Sequence, residues 1–127
     1  ELALLHADRV IRLARTGDLR GTWDRERVEQ AISNLLANAL EHGKGDIRIS
    51  VEGEDKVVIV RVHNRGETIP EDQIPVLFEP FRRGSSSRFG LGLGLYIVRE
   101  IMRAHGGSVD VTSNAETGTI FTTRWPR

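Results

Sequence analysis

Residues 33–43 read SNLLANALEHG, two asparagines and a histidine set into an otherwise apolar helical stretch. Asparagine is a poor helix former, because its amide competes for nearby backbone groups. Asn34, Asn38 and His42 nevertheless recur every fourth residue, a spacing that stacks side chains on one helical face. They form a polar stripe beside the ridge Val28, Ala31, Ile32, Leu35, Leu36 and Ala39. A polar stripe along a core ridge predicts the lining of a pocket rather than open solvent.

Outward from this stretch, Asp24 is a good N-cap, and apolar residues at helical spacing predict a helix from Arg25 to about Glu41. Gly43 and Gly45 end it. Upstream, Val10 to Trp23 alternates weakly around TGD, which predicts two short strands and a turn. Downstream, DIRISVE and KVVIVRVHN read as a hairpin closed by GED. GETIP leads to a short helix from Glu71 to about Leu77, and FRRGSSSRFGLGLG reads as a loop. LYIVREIMRAH predicts a helix from Leu93 to about His105, stopped by Gly106 and Gly107. SVDVTS and GTIFTTRW close the chain as two strands. Strands covered on one side by a few helices make an α+β two-layer sandwich in a single domain, residues 1–127.

The 127 residues are enough for one packed core. Eighteen basic and eighteen acidic residues balance, so no global charge points to nucleic acid or an anionic membrane surface. The absence of cysteine excludes disulfides and thiolate metal sites. No apolar run approaches the roughly 20 residues of a membrane span, and no signal-peptide pattern opens the chain. It begins ELALLHADR, without methionine, which predicts a piece of a longer protein.

Chemistry concentrates in a few motifs. RFGLGLGLYIV puts Gly90, Gly92 and Gly94 on alternate positions before a helix. Glycines let backbone N–H groups approach a ligand closely, and a helix N-terminus favours an anion. In VHNRGETIP, Asn64 ends a strand, where a side chain can face a pocket and meet a base edge. FEPF, residues 78–81, reads as packing behind the loop, and GTIF as a turn into the last strand.

Taken in order, these motifs resemble the ATP-binding catalytic domain of sensor histidine kinases, of the Bergerat or GHKL type. SNLLANALEHG is similar to the N box, VHNRGETIP to the first glycine box, FEPF to the F box, GLGLGL to the second glycine box and TGTIF to the third. The resemblance implies a Bergerat fold, with a mixed five-stranded sheet covered on one face by about three helices. It implies ATP and Mg²⁺ as ligands. Asn38 would ligate Mg²⁺ through its amide oxygen, as suits a hard cation that also bridges phosphates. Asn34 would support the metal or phosphate shell, and His42 would stack beside the adenine. Nucleotide contacts are implied for Asn34, Asn38, His42, Asn64, Gly66, Ile69, Phe81, Gly90, Leu91, Gly92, Leu93, Gly94, Leu95 and Thr119, with Leu93 and Leu95 turned toward the core. Catalytic roles fall to Asn34 and to Arg83, a cation near the terminal phosphate.

Three positions depart from the family pattern. Asn64 stands where an aspartate usually accepts a hydrogen bond from the adenine amino group, so weaker or less base-selective ATP binding is expected. Thr68 replaces the second glycine of that box. Glu41 stands where a lysine often meets the phosphates, and would repel them unless it turns to solvent, which its place at the helix end permits. GHKL ATPases use a glutamate one turn before the metal asparagine as general base; here Asn34 occupies that place and cannot take a proton. Transfer of the γ-phosphate to a histidine is therefore favoured over hydrolysis. None of His6, His42, His63 and His105 has the phosphoacceptor context, so the implied acceptor is an upstream dimerisation hairpin of the same protein. A degenerate pseudokinase acting as a nucleotide-gated interaction module is the alternative. The further implied partner is a response regulator receiver domain. The implied parent is a homodimer, cytoplasmic in this part and anchored to a membrane elsewhere if at all, with this piece alone a monomer.

Overall fold

The computed structural model describes residues 2–6, 9–81 and 93–127, and for Leu2, Leu4, Leu5 and His6 only the backbone. In chain order the elements are β1 (Leu2–His6), β2 (Arg9–Thr16), α1 (Arg25–His42), β3 (Gly43–Gly53) and β4 (Val57–Gly66). A 3-10 helix (Glu71–Val76) follows, then α2 (Gly94–Ala104), β5 (Ser108–Asn114) and β6 (Gly118–Pro126). The strands form one sheet in the order β1-β2-β3-β4-β6-β5. Among the described strands only the β2–β3 pair is parallel, with Ile11 beside Ile47, and α1 makes the crossover that a parallel pair requires.

Strands β2 to β6 supply the expected five-stranded mixed sheet. β1 adds a sixth strand at its edge, antiparallel to β2 with Leu4 opposite Ile11. The described helical cover is α1, α2 and the 3-10 helix, and the two-layer arrangement is the one read from the sequence. β5 shows it in its alternation of exposed and half-buried residues.

Local chemistry explains the helix ends. The Asp24 carboxylate accepts from the N–H groups of Glu26 and Arg27, satisfying two donors of the first turn. Ala31, Leu35 and Ala39 lie four apart and are buried; the two alanines let the helix approach the sheet closely. α2 turns Val98, Ile101 and Met102 into the same core. At its end Gly106 adopts φ 71°, and the Gly107 N–H returns to the Met102 carbonyl. β4 is the central strand, with Val58, Ile59, Val60 and Val62 all buried. The buried hydroxyl of Thr123 is satisfied on both sides: it donates to the Val60 carbonyl and accepts from the Trp125 indole N–H.

The second short strand expected before Trp23 does not form, and residues 17–24 run as an irregular loop. Its carbonyls find partners other than a ladder. The Arg127 guanidinium donates to the carbonyls of Asp18 and Arg20, and across the gap to those of Glu54 and Asp55. Gly17 turns the chain with φ 77°, and Trp23 donates its indole N–H to the Pro126 carbonyl at 2.8 Å. In this loop, hydrogen bonds from the side chain and then the backbone of Arg20 hold the Asp18 carboxyl below the usual carboxylate range. A carboxyl depressed on folding stabilises at neutral pH, and that contribution disappears as pH falls through the folded-state value. Asp18 is exposed, so the effect is small.

Arg127→Ala removes a mostly buried guanidinium that bridges two loops. It is expected to cost about 2–3 kcal/mol, the scale for hydrogen bonds to a charged donor. The readout is a lower urea midpoint at unchanged slope.

Candidate functional site

The polar stripe of α1 runs down the helix to its C-terminal end, where three backbone segments converge. The Arg9 guanidinium, reaching over from β2, donates to the carbonyls of Leu40 and Gly45 at 2.8 Å and of Ala39 at 3.3 Å. These include carbonyls of the last turn of the helix, and a cation there also complements the helix dipole. A bulge between Lys44 and Ile47 carries Gly45 into Arg9's reach.

On the sheet side, Asn64 ends the helix-facing row of β4 and is 5% exposed. Its Nδ2 donates to the Arg65 carbonyl at 3.0 Å, leaving Oδ1 as the acceptor. The backbone makes room for this amide. A Cβ on Gly43 would lie 2.5 Å from Asn64 Nδ2, and one on Gly66 would lie 2.8 Å from the His42 carbonyl. Gly66 also has φ 141°, a conformation that side chains rarely tolerate. Opposite Asn64 on β6 stands Thr119, also 5% exposed. Its hydroxyl lies 2.7 Å from that of Ser113 on β5, and the Ser113 hydroxyl accepts from the Ile69 N–H at 2.9 Å. Asn64, Thr119, Ser113 and the Ile69 backbone thus make a compact polar corner at one end of the sandwich.

On the helix side, Asn34 Nδ2 donates to the Gly94 carbonyl at 3.3 Å, tying the stripe to the first residue of α2. Asn38, one turn further on, is half-buried. Leu93, the N-cap of α2, offers no side-chain cap, so the first N–H groups of α2 lack partners from the helix itself. A Cβ on Gly94 would meet no atom of the described residues within 4 Å. N–H groups without helical partners at a helix N-terminus fit an anion. Among the described residues no cluster of three or more His, Asp or Glu could hold a metal ion unaided. A neutral amide such as that of Asn38 fits a cation arriving with its own phosphate ligands, and fits a bare divalent ion poorly.

Several sequence expectations change. Glu41 does not turn to solvent: its side chain is only 7% exposed, and its Oε2 lies 3.4 Å from Nε2 of His42, whose side chain is 44% exposed. The adjoining His42 is where the helix ends, so the Glu41 side chain folds back along the protein. Phe78 does pack, edge-on to Phe121 at 6.1 Å, but Phe81 does not: it is 67% exposed and has φ 61°. That backbone conformation is unfavourable for a bulky residue and turns its ring away from the core. Leu95 packs on the core, while Leu93 is half-buried at the N-cap position. Arg83, Gly90, Leu91 and Gly92 lie outside the described residues, as do Arg82 and Arg88.

Two site residues were missed by reading the sequence. Ser113 had a signal: it continues the inward phase of Val109 and Val111 on β5, and a hydroxyl in an apolar phase marks a pocket. Arg9 had none, since its role depends on a contact 31 residues away.

Residues 23–127 match the family described as histidine kinase-, DNA gyrase B-, and HSP90-like ATPase. The chain is 39% identical over 107 residues to the signal transduction histidine-protein kinase AfsQ2 of Streptomyces coelicolor, a match covering 82% of this chain and 20% of that protein. To the sensor protein VanSC of Enterococcus gallinarum it is 41% identical over 111 residues, covering 84% of this chain and 30% of that one. Its matches thus span less than a third of these curated relatives. Among solved structures, the nucleotide-free catalytic domain of histidine kinase ThkA superposes with a TM-score of 0.77 at 35% identity, covering 91% of this chain and 78% of that one.

Arg9→Met is expected to leave the last-turn carbonyls of α1 uncapped, at a cost of about 1–2 kcal/mol. Amide exchange should accelerate selectively near Gly43, whose N–H closes that turn on Ala39.

Proposed function

The chain belongs to the histidine kinase-, DNA gyrase B- and HSP90-like ATPase family, as a histidine kinase catalytic domain, and from that premise we propose that it binds Mg-ATP and donates the γ-phosphate to a histidine on an upstream dimerisation hairpin. The observation that carries this reading is the Asn34–Gly94 hydrogen bond. It sets the amide stripe of α1 beside the N–H groups that open α2. Phosphates would lie against those donors, and Asn38 would reach the metal from the helix side. Neutralising phosphate charge is the chemistry Mg²⁺ supplies there. Arg83 is assigned the terminal phosphate, and the glycine tract through Gly90 and Gly92 the remaining phosphate oxygens.

The base is assigned to the polar corner, with His42 stacking at its mouth. One of the two Nδ2 hydrogens of Asn64 is spent on the Arg65 carbonyl, which anchors the amide and presents Oδ1 to the ligand as an acceptor. An acceptor suits the exocyclic amino group of adenine and disfavours the carbonyl of guanine. The second Nδ2 hydrogen can still meet a guanine carbonyl, so base selectivity is lower than an aspartate would give, and a neutral acceptor binds less tightly than a carboxylate would. Asn34 has no basic group to activate water, which favours transfer over hydrolysis. A crystal structure of full-length ShkA in complex with AMPPNP is among the similar structures, at 27% identity and a TM-score of 0.73. The proposal extends to a receiver-domain response regulator as the next phosphate acceptor and to a dimeric parent.

One observation favours the competing reading, a nucleotide-gated interaction module without transfer. The carboxylate of Glu41 is buried at the end of α1, where the family often has a lysine.

Calorimetry is expected to show ATP binding tighter than GTP by less than tenfold. Asn64→Ala should weaken ATP about tenfold, the scale of one buried hydrogen bond, and weaken GTP less. Equal affinities for the two nucleotides would contradict the acceptor assignment. With its upstream hairpin and labelled ATP, the domain should form acid-labile phosphohistidine, abolished by Asn38→Ala. Nucleotide bound without labelling would establish the interaction module instead.

A further inference from the structure

The opposite end of the sandwich holds an apolar cavity of about 320 Å³ that the nucleotide reading does not use. Val28 and Ile32 of α1 form its roof and apolar residues of β3 and β4 its floor, with Leu13, Leu19, Trp23 and Trp125 around the sides. It exists because α1 lies over β3 and β4 and leaves the helix-facing side of β2 partly uncovered. Leu13 and Leu19 are accordingly only half-buried.

Three features separate this cavity from a packing gap. Every lining residue is apolar, and both indole N–H groups are spent elsewhere: Trp23 donates to the Pro126 carbonyl and Trp125 to the Thr123 hydroxyl, each at 2.8 Å. Water inside would find few partners, so filling it with solvent gains little. The wall is also held in place. The Trp23 indole meets Trp125 edge-on at 6.5 Å, and the Gly21 backbone lies so close to its ring that a Cβ there would fall 2.2 Å from it. The size is also that of a ligand site: a cavity of about 150 Å³ already takes benzene, and small-molecule pockets begin near 300 Å³.

We propose that this cavity is a second ligand site, taking an uncharged, predominantly hydrocarbon molecule the size of one or two aromatic rings. A charged or strongly polar ligand is disfavoured because no lining group could pair with it. The only two tryptophans of the chain both line the site, so occupancy can be read directly.

Bromobenzene is the probe, since its heavy atom quenches indole emission at contact. The expected result is saturable quenching, together with a melting temperature that rises with probe concentration, because a ligand of the folded state stabilises it by mass action. Leu13→Phe and Val28→Phe, which fill the cavity, should each weaken the apparent affinity at least tenfold while leaving ATP titration unchanged. Quenching that stays linear in concentration and matches free N-acetyltryptophanamide, with no melting shift, would overturn the proposal. If a filling variant does not fold, the two wild-type measurements decide alone.

Discussion

The seam between α1 and the sheet is the contact on which the rest of this structure depends. Ala31, Leu35 and Ala39 bring the helix down onto β3 and β4, and the close approach of the alanines fixes its height above the sheet. That height sets where the stripe of Asn34, Asn38 and His42 stands relative to Asn64. It is also why Gly43 and Gly66 have no room for a side chain: the backbone at the end of the helix and the amide of Asn64 already fill the space. A larger residue at Ala39 would lift the helix end and open the polar corner to solvent.

The two ends of this seam differ in kind. At the C-terminal end of α1, polar groups converge and are fixed by one another: Arg9 on the helix carbonyls, Asn34 on Gly94, Thr119 on Ser113. At the N-terminal end, the wall is aromatic and aliphatic, and its polar atoms turn away from the space they enclose. One helix therefore separates an electrostatic environment from a hydrophobic one within a single small domain.

What the sequence made legible was what local rules control. The capping carboxylate of Asp24, the four-residue recurrence in α1 and the alternation in β4 to β6 act within a few residues, and the elements form where those signals stand. The motif order also led correctly to the family. Tertiary override accounts for the rest. Residues 19–23 alternate like a strand, yet the carbonyls of Asp18 and Arg20 are captured by the guanidinium of Arg127. β1 is a strand because β2 offers it an edge. A place at the helix end permitted Glu41 to reach solvent, whereas the chain turns straight into β3 and keeps its side chain covered. Such outcomes depend on neighbours distant in sequence, which periodicity does not record.

The parallel pairing of β2 with β3 carries a mechanical consequence. A parallel neighbour cannot be reached by a tight hairpin, so the polypeptide must travel through the whole of α1 to connect them. Arg9, at the start of β2, then clasps the end of that same helix, closing a covalent and hydrogen-bonded loop. Peeling away this margin of the sheet would loosen the helix, and straining the helix would tug on the margin. Strand and helix are therefore one cooperative unit, and whatever grips the amide stripe also braces a sheet border that it never touches.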